Sequence, residues 1–145
     1  MNKYLIINGP NLNMLGIREP AVYGSRTYDD LCEYIRDFAK KINVEVDFFQ
    51  SNSEGELVTE IQKTLGKYDG IVMNPGAYAH YSFAIHDAIK AVTTPCAEVH
   101  ISDIHSREEF RRTSVTAPAC CHMISGKGFD SYTIALEMLE NDKNR

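Results

Sequence analysis

Hydrophobic and polar positions follow two rhythms along the chain, and the switches between them mark the elements. Residues 3–8 (KYLIIN) form a short apolar run, the pattern of a strand buried on both faces. Thr27 opens a helix. Its hydroxyl can cap the first turn, Asp29 and Asp30 sit near the positive helix end, and Leu31, Ile35, Phe38, Ala39 and Ile42 recur at helical spacing. Residues 44–49 predict a second strand. Ser53 and Glu56 have the spacing of a capping box, and Leu57, Val58, Ile61 and Leu65 follow at helical spacing until residues 66–70 end the helix. The alternation continues with a strand at 71–74, a helix at 82–92 stopped before Pro95, and a strand at 96–101. A weaker strand at 119–125 is diluted by Cys and His. A closing helix at 129–139 carries Tyr132, Ala135, Leu136 and Leu139 on one face.

Strand and helix alternating with short connections imply parallel strands joined by right-handed crossovers. Five such units in 145 residues predict an α/β fold, a flavodoxin-like three-layer sandwich with a five-stranded parallel sheet, as a single domain over residues 1–145. No repeat, low-complexity tract or linker interrupts it. One connection is long: residues 9–26, rich in Gly, Asn and Pro, have the length of a functional lid.

Composition narrows the function classes. The chain is 43% hydrophobic and 24% charged, ordinary values for a soluble domain. No apolar run approaches the roughly 20 residues of a membrane helix. The first residues enter a strand directly, without the pattern of a signal peptide, so a cytoplasmic location is expected. The net charge of −5 argues against nucleic acid as partner, but leaves room for a small anion in a locally donor-rich pocket. Cys32, Cys96, Cys120 and Cys121 lack zinc-finger spacing and read as free thiols in a reducing compartment.

In a doubly wound sheet, ligands bind beyond the carboxyl ends of the strands. After the first strand come Asn8, Gly9, Pro10 and Asn11, then Arg18 and Tyr23. After the third come Asn74, Pro75, Gly76 and His80. After the fourth come His100, Ser102, Asp103 and His105, then Arg107, Arg111 and Arg112. Amides, histidines and arginines thus collect at one edge, a set suited to a hydroxylated carboxylate. Each has a plainer reading: residues 8–11 as a turn, Tyr23 as a packing aromatic, His100 as a core histidine. Glu98 shares a strand face with His100 and can fix its tautomer, a pairing used by catalytic and core histidines alike. Residues His100, Asp103 and His105 lack the spacing of a strong metal motif, so no metal is expected. The glycine patterns of phosphate loops and nicotinamide sites are absent, and no cofactor is expected. Two rival readings stand beside an enzyme built on these loops: a flavodoxin-like nucleotide- or partner-binding module, and a metal-dependent hydrolase.

Together these stretches resemble a known family. Residues 8–16 (NGPNLNMLG), Arg18-Glu19-Pro20 and Tyr23-Gly24 resemble the N-terminal signature of type II 3-dehydroquinate dehydratases. Residues 50–55 (QSNSEG), Asn74 to Tyr78 with His80, and residues 85–88 continue the match. Residues 98–102 (EVHIS) and 107–111 (REEFR) complete it. Ala79 and Tyr81 depart from the threonines usual around this histidine, and residues 119–127 are less typical.

The resemblance implies a lyase of the shikimate pathway that removes water from 3-dehydroquinate by anti elimination through an enolate. It makes Tyr23 the base, with Arg18 stabilising its phenolate. It makes His100 the acid, with Glu98 orienting it, and gives Asn11 a part in holding the enolate. Asn74, His80, Ile101, Ser102 and Arg111 would bind substrate, and Asp87 would reach a neighbouring subunit's pocket. The family also implies a homododecamer built as four trimers. The alternative lysine Schiff-base route is rejected, because no lysine falls in the three loops.

Overall fold

In the computed structural model, residues 1–17, 20–23 and 25–145 are described, the side chains of Val22 and Tyr23 excepted. The expectations placed on Arg18 and on the Tyr23 side chain lie outside the described residues.

Five strands, β1 (Lys3–Asn8), β2 (Glu45–Gln50), β3 (Gly70–Asn74), β4 (Cys96–His100) and β5 (His122–Ser125), pair in parallel in the order β2-β1-β3-β4-β5. This is the expected flavodoxin-like order, with the switch of direction between β1 and β3. In register, Ile6 of β1 lies between Phe48 and Val72. Successive side chains point to opposite faces, and both faces are covered, so the central strands are mainly apolar, with buried polar residues towards their carboxyl ends. Tyr4, Ile6, Val72, Ala97 and Val99 pack beneath α2 (Tyr28–Lys41) and α5 (Asp130–Lys143). Leu5, Ile7, Ile71, Met73 and Cys96 pack beneath α3 (Glu54–Gln62) and α4 (Phe83–Ala91). Among the described residues no helix is long and apolar enough to cross a membrane.

Local chemistry explains the helix starts. Thr27 accepts the Asp30 N–H, and the Asp30 carboxylate accepts the Thr27 N–H at 2.9 Å, a complete capping box. At α3 the box expected from Ser53 and Glu56 is only half direct. Ser53 Oγ accepts the Glu56 N–H at 3.2 Å, but the Glu56 carboxylate takes the Ser51 hydroxyl instead. Ser51 Oγ then accepts the Ser53 N–H at 2.9 Å, closing the cap by relay.

Four elements differ from expectation. Helix α3 ends at Gln62, short of Leu65, which is exposed rather than packed on the helix's apolar face. The fifth strand begins at His122, not 119, because residues Ala117–Ala119 form a 3-10 turn around Pro118, which has no N–H to give a ladder. The closing helix continues past 139 to Lys143. The long connection after β1 is also partly structured. It holds a 3-10 turn at Leu12–Met14, and Leu12 and Leu15 are buried in the core. A four-residue helix, α1 (Pro20–Tyr23), follows.

Candidate active site

The carboxyl ends of β1, β3 and β4 meet around a recess. Two loops must pack back to back to form it. A Cβ on Gly9 would lie 2.5 Å from the Pro75 carbonyl oxygen, and one on Gly76, whose φ is +61°, would lie 3.0 Å from the Pro10 carbonyl. Glycine at both positions lets the turn after β1 rest against the turn after β3. Gln50 and Asn52 brace the same turn from the β2 side. The Gln50 amide donates to the Gly9 carbonyl at 3.2 Å, and Asn52 Oδ1 accepts the Asn11 N–H at 3.0 Å. Asn11 itself adopts a left-handed conformation, φ 69°, which asparagine tolerates.

Seven of the residues singled out from the sequence line this recess: Asn11, Asn74, His80, His100, Ile101, Ser102 and Arg111. Arg107, which the sequence placed in a run of arginines and in the 107–111 motif without a role, lines it too, as do the apolar side chains of Leu12, Leu15 and Ile104. Asp87 is exposed on α4 and lies outside the recess.

The floor is hydrogen-bonded. Asn74 donates to the Tyr132 hydroxyl at 3.0 Å and accepts the Gly76 N–H at 3.1 Å. The Tyr132 hydroxyl in turn donates to Asn8 at 2.6 Å. These partners fix which way the Asn74 amide faces.

One wall is a pair of histidines. The His80 and His100 rings lie 6.4 Å apart, nearly parallel at 22°. His80 Nδ1 sits 2.8 Å from the Thr113 carbonyl, an acceptor only, so Nδ1 carries the proton and Nε2 is left as the other ring atom. Burial lowers the His80 pKa, against the Thr113 hydrogen bond and with help from nearby His100 and Arg111. His100 Nε2 lies 2.8 Å from a carboxylate oxygen of Glu98, which is 1% exposed. The other ring nitrogen, Nδ1, remains for a ligand. Glu98 and His100 share a strand face, as their spacing of two requires.

Sequence reasoning missed what surrounds Glu98. Ser114 Oγ donates to it at 2.6 Å, and the Thr116 hydroxyl donates to its second oxygen. These residues are 16 and 18 positions away, and no sequence spacing ties them to β4.

The trio of the metal-hydrolase reading is not assembled. Asp103 instead caps the turn Ile104–Ser106 through the His105 N–H at 3.0 Å, and both side chains are exposed. Among the described residues, potential ligand atoms converge only at Cys121, His122 and Asp142, at the amino end of β5, away from the recess. There His122 pairs with Asp142 at 2.6 Å and Arg145 lies 3.8 Å from the same carboxylate, an ion-paired corner. The four cysteines are free thiols; Cys96 and Cys120 approach to 3.8 Å.

A parallel α/β sheet with a donor-rich recess at its switch point, backed by a buried histidine–carboxylate pair, defines an α/β enzyme. Residues 2–140 match the sequence model of the family described as dehydroquinase class II. A 3-dehydroquinate dehydratase of Clostridium acetobutylicum is 57% identical over 139 residues, 96% of each chain. One from Caldicellulosiruptor saccharolyticus is 59% identical over 141 residues, 97% of each. The crystal structure of a type II dehydroquinase from Butyrivibrio crossotus superposes with a TM-score of 0.94 at 49% identity, covering 96% of this chain and 97% of that one. The chain belongs to the class II dehydroquinase family.

Proposed function

We propose that this chain is a lyase that dehydrates 3-dehydroquinate to 3-dehydroshikimate in the shikimate pathway, by anti elimination through an enolate. The observation that carries the reading is the buried Glu98–His100 pair at the edge of a donor-rich recess, in a chain of this family.

The substrate loses a proton beside a ketone and then a hydroxyl. It therefore needs a base, an enolate holder and an acid. Tyr23 is the base, and as phenolate it needs the positive charge of Arg18. Asn11 helps to hold the enolate, through a water. His100 is the acid. Because its Nε2 faces Glu98, Nδ1 delivers the proton to the departing hydroxyl. Arg111 and the backbone N–H groups of Ile101 and Ser102 suit the carboxylate, while Asn74 and His80 suit the ring hydroxyls. The long connection carrying Arg18 and Tyr23 closes over substrate and excludes water. The chain folds as one domain, works in the cytoplasm without cofactor, and assembles as a dodecamer of four trimers. In that assembly Asp87, exposed on α4, reaches into a neighbour's site.

The test is turnover of 3-dehydroquinate, followed by the ultraviolet absorbance of the conjugated enone, with EDTA and borohydride as controls. Wild type should turn over in the presence of either reagent. Tyr23→Phe and His100→Ala should each lose about 10²- to 10⁴-fold in kcat, the usual weight of a general acid or base. The same preparation should sediment at about twelve times the 16.4 kDa chain mass. A fully active Tyr23→Phe removes the assigned base. Absence of turnover at any pH leaves the binding-module reading instead.

A further inference from the structure

A buried carboxylate needs hydrogen-bond donors to remain charged. The basic side chain seen against Glu98 is the imidazole of His100, whose Nε2 lies 2.8 Å from it. The other donors to Glu98 come from residues 113–116, a strap between the turn carrying Arg111 and the 3-10 turn Ala117–Ala119. The strap works in alternation. Ser114 and Thr116 turn their hydroxyls to Glu98, one to each oxygen. Ser114 Oγ accepts the Ala117 N–H at 3.0 Å, which leaves its own proton for Glu98. Thr113 and Val115 turn their carbonyls the other way, to His80 Nδ1 at 2.8 Å and His86 Nδ1 at 2.7 Å. The Val115 N–H donates to the Ala79 carbonyl at 2.7 Å.

We infer that this strap is a positioning device that aligns both histidines of the recess. Ser114 and Thr116 hold the Glu98 carboxylate in the orientation that presents His100 Nδ1 to substrate. The Thr113 carbonyl fixes the His80 ring so that Nε2 faces the recess as an acceptor for a substrate hydroxyl. Hydroxyls suit the task better than a cation. An arginine at either position would compete with the imidazole for the Glu98 oxygens, whereas Ser and Thr orient the carboxylate and leave room on it for the imidazole. The catalytic consequence rests on the dehydratase reading; the alignment of the rings does not.

The experiment compares Thr116→Val, Ser114→Ala and the conservative Thr116→Ser by kinetics and by proton NMR. The ring N–H of His100 held against a carboxylate should give a sharp downfield signal, assigned by its loss in His100→Ala. Each hydroxyl deletion should lower kcat about tenfold and leave KM within about twofold, because the lost hydrogen bond is to a charged group that does not touch substrate. The downfield signal should broaden in both deletions, and Thr116→Ser should restore rate and signal. Thr116→Val nearly preserves shape, so loss of rate with recovery by Ser assigns the effect to the hydroxyl. If Thr116→Val does not fold, Ser114→Ala and Thr116→Ser decide the matter. Unchanged kcat with an unchanged signal in a folded deletion overturns the inference, as does an effect confined to KM. Should wild type show no turnover, the NMR signal still decides whether the strap sets the ring, and the dehydratase reading is what has failed.

Discussion

Tyr132 brings its hydroxyl to the one point where both amides under the recess reach it, 2.6 Å from Asn8 and 3.0 Å from Asn74. It is fully buried, and that burial raises its pKa, so it remains a protonated donor. Tyr132→Phe would keep the ring and leave the two amides short of a partner. The expected loss is about 1–3 kcal/mol for each amide left unsatisfied, read as a shift in the urea midpoint. A variant as stable as the parent would show that water replaces the hydroxyl. The residues of the site were legible in the sequence to different degrees for a physical reason. Glu98 and His100 could be paired because a strand puts every second residue on one face. Ser114 and Thr116 could not, because only the fold brings them to β4.

At the scale of elements, the contact of the two glycine turns controls the shape of the recess. Gly9→Ala would drive a methyl group into the Pro75 carbonyl. The backbone cannot yield as a side-chain tip can, so the turns must part. Overpacking of this kind costs about 1–3 kcal/mol, and a displacement near 1 Å can cost about 10²-fold in rate. Thermal unfolding and kcat/KM should both fall; parental values for both would mean that the turns are looser than their packing indicates. The same scale shows where sequence reading ran out. The second helix was fully legible, because Thr27, the acidic first turn and the apolar spacing all agree. The apolar face of the closing helix predicts it over 129–139, and residues 140–143 are polar. The helix continues because tertiary partners hold it. Tyr4 donates to Glu140 at 2.6 Å, and Lys143 pairs with Asp69 at 3.2 Å. Likewise Leu12 and Leu15 sat within a segment that read as turn and lid, and only their burial reveals them as anchors.

Across the whole molecule, the displaced titrations set the response to acid. Asp47 is lowered chiefly by the Tyr68 hydroxyl, and Asp69 chiefly by the Lys3 N–H. Burial pushes Glu140 up, but donors from Tyr4, Asn2 and Asn144 outweigh it, and its pKa falls. A carboxylate depressed in the folded state adds stability that is complete above its unfolded value, about 4, and is lost as pH falls through the folded one. His80, lowered by burial, acts from the other direction. The unfolded chain takes up its proton first, so a penalty that is absent above about pH 6.5 grows as pH falls below it. Above about pH 8 the thiols of Cys32 and Cys121, raised chiefly by burial, and of Cys96, raised chiefly by its Cys120 neighbour, ionise first in the unfolded chain. Urea midpoints should therefore be level from about pH 6.5 to about pH 8 and decline gently below that range through His80. They should fall steeply below about pH 4. His80→Gln should remove the gentle limb, and a midpoint that rises between pH 6.5 and 5 would contradict this account. The grip of Asn2 on Glu140, at 2.9 Å, has a consequence of another kind. It makes the segment before β1 and the end of α5 neighbours, beyond the amino ends of the strands and remote from the recess. A short Gly-Ser bridge could join them, and the chain could be cut at exposed Thr93, in the loop just before β4. The sequence would then begin with the strand bearing Glu98 and His100 and finish with α4, while every strand kept its neighbours: in space the polypeptide is already close to a ring, and its starting point is a matter of where the thread is severed.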